Sequence, residues 1–205
     1  FLSPQIAKLV VSDEKLLESH RRDITVVFCD LRGFTAFAEH AEPEDIITVL
    51  QEYYRCLGES IDRFEGTLQH FAGDGLLIIF NDPIPCSDPA VRAVRMAAEM
   101  RSQVAALAEK WRRFGHELGF GIGIASGHAT LGNVGYAGRF HYSATGTVVN
   151  LGSRLCAHAD DGQILIDGRV QVAVEKIAEL EALGELDLKG LHRPIRAFNV
   201  RVLTA

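Results

Sequence analysis

The chain has 205 residues, room for one domain and an added element at a prior of roughly 150 residues per domain. With 47% hydrophobic and 23% charged residues, 19 glycines and 6 prolines, it excludes disordered, collagenous and low-complexity classes. A formal charge of −6, with no lysine or arginine cluster, argues against a nucleic-acid partner and for small-molecule and protein partners.

The stretch without Asp, Glu, Lys or Arg over residues 118–138 carries seven glycines and is no membrane span, so no membrane contact is expected of this segment. Cys29, Cys56, Cys86 and Cys156 lie far apart without a CxxC pair, which predicts reduced thiols and a cytoplasmic setting. The chain starts at Phe1 without an initiator Met or a signal-peptide pattern, and is expected to be a fragment of a longer protein.

Ser3-Pro4 reads as a helix start, and Ile6, Leu9, Val10, Leu16 and Leu17 follow at helical spacing, so a lead-in helix is expected to end before Arg21. Residues 24–29 form a β-rich apolar run stopping at Asp30, followed by a strand-to-helix turn at 32–35. Pro43-Glu44 opens a helix carried by Ile46, Ile47, Leu50, Tyr53, Tyr54, Leu57 and Ile61 until Gly66. Two short apolar segments, 67–71 and 76–80, flank Gly73-Asp74-Gly75 as a hairpin with Asp74 near its apex. A proline-rich loop precedes a helix over about 90–114, and residues 120–125 alternate with glycine as a central strand continued by a second hairpin arm. A helix at 148–159 and strands at 163–166, 185–188 and 197–203 complete the pattern. The expected fold is α+β, a ferredoxin-like βααββαβ core with extra terminal strands, mainly antiparallel, with helices packed on one face.

Asp30 and Asp74 each end an apolar strand at a glycine-containing turn. Mg²⁺ is held by one or two carboxylates plus substrate phosphates, so such a pair suits a metal–nucleotide site; each aspartate alone could equally cap its turn. Asn150 and Arg154 are four apart and share one helix face, where an amide and a guanidinium can hold a sugar and a phosphoryl group, or be merely solvated.

The blocks Phe28-Cys29-Asp30-Leu31-Arg32-Gly33-Phe34-Thr35, Phe71-Ala72-Gly73-Asp74-Gly75 and Gly146-Thr147-Val148-Val149-Asn150-Leu151-Gly152-Ser153-Arg154 resemble the three signatures of class III nucleotidyl (adenylate/guanylate) cyclase catalytic domains. The resemblance divides the chain into a connector helix at 1–22, joining an upstream sensor or regulatory domain, and a catalytic domain at 23–205. It implies conversion of ATP to 3′,5′-cyclic AMP and pyrophosphate with two divalent ions, Mg²⁺ or Mn²⁺. Asp30, Asp74 and the backbone carbonyl of Leu31 would hold the ions. Arg32, Gly33, Phe34 and Thr35 would wrap the phosphates with backbone N–H groups, helped by Arg139 and Lys189. Asn150 would orient the ribose and Arg154 stabilise charge at the α-phosphate. The resemblance also implies a homodimer whose two sites each take the metal aspartates from one chain and Asn150, Arg154 and Lys189 from the other.

Adenylate-forming members typically place Lys and Asp or Thr at two base-recognition positions where this chain has His70 and Ser143. Imidazole and hydroxyl can each donate or accept, so GTP as substrate stays open, while the lack of Glu at position 70 favours ATP. Strand alternation should leave one of Gln69 and His70 outside. A catalytically silent nucleotide-binding module is the competing reading; retention of Asp30, Asp74, Asn150 and Arg154 argues against it. A diguanylate cyclase would need a different hairpin sequence.

Overall fold

A computed structural model of the chain describes residues 18–136, 139–191 and 193–204. Most of the lead-in helix expected before Arg21 lies outside the described residues.

In chain order the elements are β1 (His20–Arg32), α1 (Phe34–His40), α2 (Pro43–Arg63), β2 (Thr67–Ala72), β3 (Gly75–Phe80), α3 (Pro89–Arg112), β4 (Gly119–Tyr136), β5 (Arg139–Thr145), α4 (Thr147–His158), β6 (Ile164–Asp167), α5 (Gly168–Val174), β7 (Ala178–Leu186) and β8 (Ile195–Leu203). The sheet runs β2-β3-β1-β4-β6-β8-β7, with β5 pairing the outer half of β4. Its pairings are antiparallel except β4 with β6, which are parallel from Ile122↔Ile164 to Ile124↔Ile166.

Strand β1 is central because both its faces are apolar. Val27, Cys29 and Leu31 join one buried cluster and Ile24 and Val26 the other. The first cluster lies under α2, α3 and α5, which supply Tyr53, Leu57, Met96, Met100 and Val170. This is the helical layer on one face of a mainly antiparallel sheet that the sequence led one to expect. One helix is added on the other face: α4 buries Val148 and Leu155 against Val26, Leu165 and Ala197. No helix among the described residues is long and apolar enough to cross a membrane.

The floor beneath α4 is made of small residues. Gly119, Gly121, Gly123, Ala125, Gly127 and Ala129 occupy alternate positions of β4, hence one face. A Cβ on Gly123 would sit 2.1 Å from the Cys156 backbone nitrogen and 2.4 Å from the Gly152 carbonyl oxygen. On Gly119 it would meet the Asp161 carboxylate at 2.6 Å, whose Oδ1 accepts from Phe120 N–H at 2.8 Å.

Two boundaries differ from expectation. Strand β1 starts at His20, so residues 20–22 are strand where the lead-in helix and the 1–22 segment were expected to reach; they pair as His20↔Leu131 to Arg22↔Ala129. Strand β7 ends at Leu186 and reaches back to Ala178, rather than covering 185–188. Register shifts at Glu179/Leu180 and Ala182/Gly184 break its period-two pattern, so apolar alternation does not reveal it.

Gly123→Ala is therefore expected to destabilise the domain by about 3 kcal/mol, because overpacking here meets helix backbone that cannot rotate away. Gly58→Ala is the control. Nothing lies within 4 Å of its Cβ position inside α2, and it should stabilise by about 0.5–1 kcal/mol. Urea unfolding of both variants checks the contrast.

Candidate active site

The register Cys29↔Leu76 between β1 and β3 brings the β2–β3 turn against the end of β1. Gly73, with φ +63, makes the turn, and Leu31 N–H donates to Asp74 Oδ2 at 3.1 Å. Asp30 Oδ1 lies 3.7 Å from where a Cβ on Gly75 would sit. The hairpin tip is held from α2: the Tyr54 hydroxyl donates to the Gly73 carbonyl, and the Phe71 ring packs edge-on against Tyr54 with centroids 4.8 Å apart.

Burial, and then the neighbouring Asp30 carboxylate, push the Asp74 carboxyl up to about 7. Two oxygen donors crowded this way fit a hard divalent cation, which relieves their repulsion. Among the described residues no group of three or more His, Cys, Asp or Glu converges, so further ligands would be backbone carbonyl, water and phosphate, as Mg²⁺ takes them.

After β1, Gly33 turns the chain with φ +79; a Cβ there would lie 2.8 Å from the Glu117 carbonyl oxygen, so only glycine fits. Phe34 and Thr35 begin α1, where first-turn N–H groups have no intrahelical acceptor. The Arg32 side chain turns away from this loop. Its Nη1 donates to Asp30 Oδ2 at 3.0 Å, its Nε to the Ala159 carbonyl at 2.7 Å, and its Nη2 to the Cys156 carbonyl.

Asn150 and Arg154 lie one turn apart on the exposed face of α4, opposite buried Gly152, Leu155 and Cys156. Among the described residues neither makes a side-chain hydrogen bond, and neither is joined to Asp30 or Asp74. Lys189 is exposed in a turn after buried Leu188. The Arg139 side chain lies outside the described residues.

His70 is the exposed member of the Gln69/His70 pair, and Ser143 is half-buried on β5. Gln69 brings their strands together: its Nε2 donates to the Tyr142 carbonyl at 3.3 Å, and its Oε1 accepts from Ala144 N–H at 3.2 Å. It thus grips the backbone on both sides of Ser143. A register shift between Leu68 and His70 frees Gln69 for this, a bulge that sequence alternation does not disclose.

A second group escaped the sequence reading. Asp82, 1% exposed, accepts from His20 Nε2 at 2.9 Å, Arg22 Nη1 at 3.3 Å and the Tyr142 hydroxyl. The Asp82 hydrogen bond, then one to the Glu18 carbonyl, raises the His20 pKa, because a protonated ring donates to both. This carboxylate ties the start of β1 to the residue preceding Ser143.

The adenylate and guanylate cyclase catalytic domain family matches residues 17–201. Adenylate cyclase 1 of Rhizobium meliloti is 29% identical over 183 residues, covering 88% of this chain and 28% of that protein. The chain spans about a third of the length of the curated relatives it matches. The crystal structure of the adenylyl cyclase CyaB from P. aeruginosa superposes with a TM-score of 0.87 at 33% identity, covering 91% of this chain and 97% of that one. That of the guanylyl cyclase Cya2 does so with 0.86 at 32%, covering 91% and 95%.

The Asp74 shift has a definite sign. Its folded-state value of about 7 exceeds the ordinary 3.8, so the metal-free fold holds an extra proton between these values and loses stability as pH rises through them. Asp74→Asn removes that component. In EDTA the variant is expected to be more stable than wild type at pH 7.5, with the gap closing towards pH 4, and Mn²⁺ should stabilise only wild type. Urea unfolding against pH measures both.

Proposed function

Because the chain belongs to the adenylate and guanylate cyclase catalytic domain family, we propose that it converts ATP to 3′,5′-cyclic AMP and pyrophosphate at sites shared by two copies of this domain. The ribose 3′-oxygen attacks the α-phosphorus in line. The new 3′-ester bond forms as the bond to the α,β-bridging oxygen breaks, pyrophosphate leaves, and the 3′-hydroxyl proton passes to solvent. Two divalent ions held by Asp30, Asp74 and the Leu31 carbonyl would lower the pKa of the 3′-hydroxyl and neutralise the triphosphate. Gly33, Phe34 and Thr35 offer backbone N–H groups to the phosphates, and Lys189 and Arg139 offer charge. Asn150 orients the ribose and Arg154 stabilises the negative charge growing at the α-phosphate.

The observation carrying this reading is the convergence of Asp74 with Asp30 and the Leu31 amide at the end of β1. The exposure of Asn150 and Arg154, without partners in their own chain among the described residues, supports a site completed by a second copy. With residues 20–22 paired into the sheet, the catalytic unit starts by His20, and the residues before it would act as the connector to an upstream regulatory domain.

Guanylate cyclase activity is the second reading. It is favoured by His70 and Ser143 at the base positions and by near-equal likeness to an adenylyl and a guanylyl cyclase. Incubating the domain with ATP or GTP, in Mg²⁺ and in Mn²⁺, and identifying products by mass separates the two; cyclic AMP is expected to predominate. His70→Lys should raise the ATP-over-GTP ratio of kcat/KM, since a fixed donor suits adenine N1 and opposes guanine N1–H.

Asp30→Ala and Arg154→Ala homodimers should each be inactive. Mixing them should restore about a quarter of wild-type activity, because about half the dimers are mixed and each has one intact site. Absence of rescue after confirmed subunit exchange would rule out sharing.

A further inference from the structure

Arg32 lies beside the first metal aspartate, yet its guanidinium faces the far end of the helix that carries Asn150 and Arg154. On one side Nη1 holds Asp30 Oδ2 at 3.0 Å; on the other, Nε and Nη2 hold the Ala159 and Cys156 carbonyls where α4 ends. At this helix end the Cys156 carbonyl also accepts the cap N–H of Ala159 at 3.1 Å, and a cation is favoured there by the helix dipole. The planar fork suits two targets at once, which an ammonium does not. The side chain is only 23% exposed.

The sheet is shaped to receive it. A Cβ on Gly121 would lie 2.2 Å from Arg32 Nη2 and 2.7 Å from its Cζ, so the guanidinium occupies the place of a missing side chain on β4. Two residues on, Gly123 gives the same clearance to the α4 backbone. One strand face thus seats both the arginine and the helix it holds.

We propose that Arg32 is a positioning residue that locks the Asp30 carboxylate to the C-terminal end of α4, so that each chain's metal site and its Asn150–Arg154 pair keep a fixed spacing. Resting on the shared-site reading above, this makes Arg32 serve two sites at once. It orients Asp30 for the site where its own chain supplies the aspartates, and it steadies Arg154 for the site of the other copy. The two sites of a dimer are then mechanically joined through each chain's Arg32.

Arg32→Lys keeps the charge and loses the fork; Arg32→Gln is the second variant should the first fold poorly. Mn²⁺ binding by electron paramagnetic resonance, thermal melting and turnover are measured on the homodimer. Expected are a fall in kcat and a loss of Mn²⁺ affinity of roughly 10-fold each, the low end of the range for partners that orient metal ligands. A lowered melting temperature with kcat per folded dimer and Mn²⁺ affinity unchanged would leave Arg32 a helix cap only, and overturns the proposal.

Mixed Asp30→Ala/Arg154→Ala dimers separate the two roles. Arg32→Lys on the Asp30→Ala chain, which supplies α4 to the working site, should lower the rescued kcat without moving half-saturating Mn²⁺. On the Arg154→Ala chain, which supplies the aspartates, it should move half-saturating Mn²⁺. Rescue indifferent to placement overturns the coupling. If the parental mixture is not rescued, the shared-site reading fails instead, and the homodimer Mn²⁺ titration alone decides whether Arg32 orients Asp30.

Discussion

The close approach of α4 to β4 is the constraint on which the site depends. A helix normally rides on a sheet with side chains between them; here the Gly152 carbonyl and Cys156 amide lie so near β4 that a methyl at Gly123 would overlap them. Stripping β4 of side chains at 119, 121 and 123 lowers α4 onto the sheet and opens the slot that Arg32 fills. It also leaves the outer face of α4, with Asn150 and Arg154, free to meet something other than its own chain. Loss of glycine flexibility is outweighed because β4 is paired on both sides over this region, with β1 and β6.

The two aspartates are held differently. Asp30 pairs with Gly121 of β4, one residue past the last β3 partner of β1 at Cys29, so its backbone is held by the sheet. Asp74 sits on a turn, and is fixed by the Leu31 amide and by Tyr54 and Phe71 beneath the hairpin. One carboxyl is held by strand pairing and the other by bracing from α2, which lets the hairpin be short and still keep the two carboxyl groups together.

Much of this was legible in the sequence because it rests on local pattern. The glycine alternation of 120–125 marked a central strand, and Asp74 between glycines marked the hairpin apex. The i,i+4 spacing of Asn150 and Arg154 needed only helix geometry. What was hidden depends on elements far apart in the chain. The direction of Arg32 is unreadable without knowing that α4, more than a hundred residues on, ends above it. Gln69 required the bulge at β2, and Asp82 looks like a loop residue until His20, Arg22 and Tyr142 close around it. His70 and Ser143 did not point to one base because imidazole and hydroxyl can each donate or accept.

The pairing of β1 with β4 spans residues 20–32 against 119–131, and that separation governs how the chain acquires its structure. During synthesis β1 can find β3 once Phe80 has emerged, but its other edge stays open until β4 follows, and the floor under α4 does not exist before then. Loop-closure entropy makes such long-range pairing slow, and an open edge on an apolar strand invites pairing with another chain. The strand that carries Asp30 is thus the segment of the nascent protein most in need of shielding until its distant partner arrives.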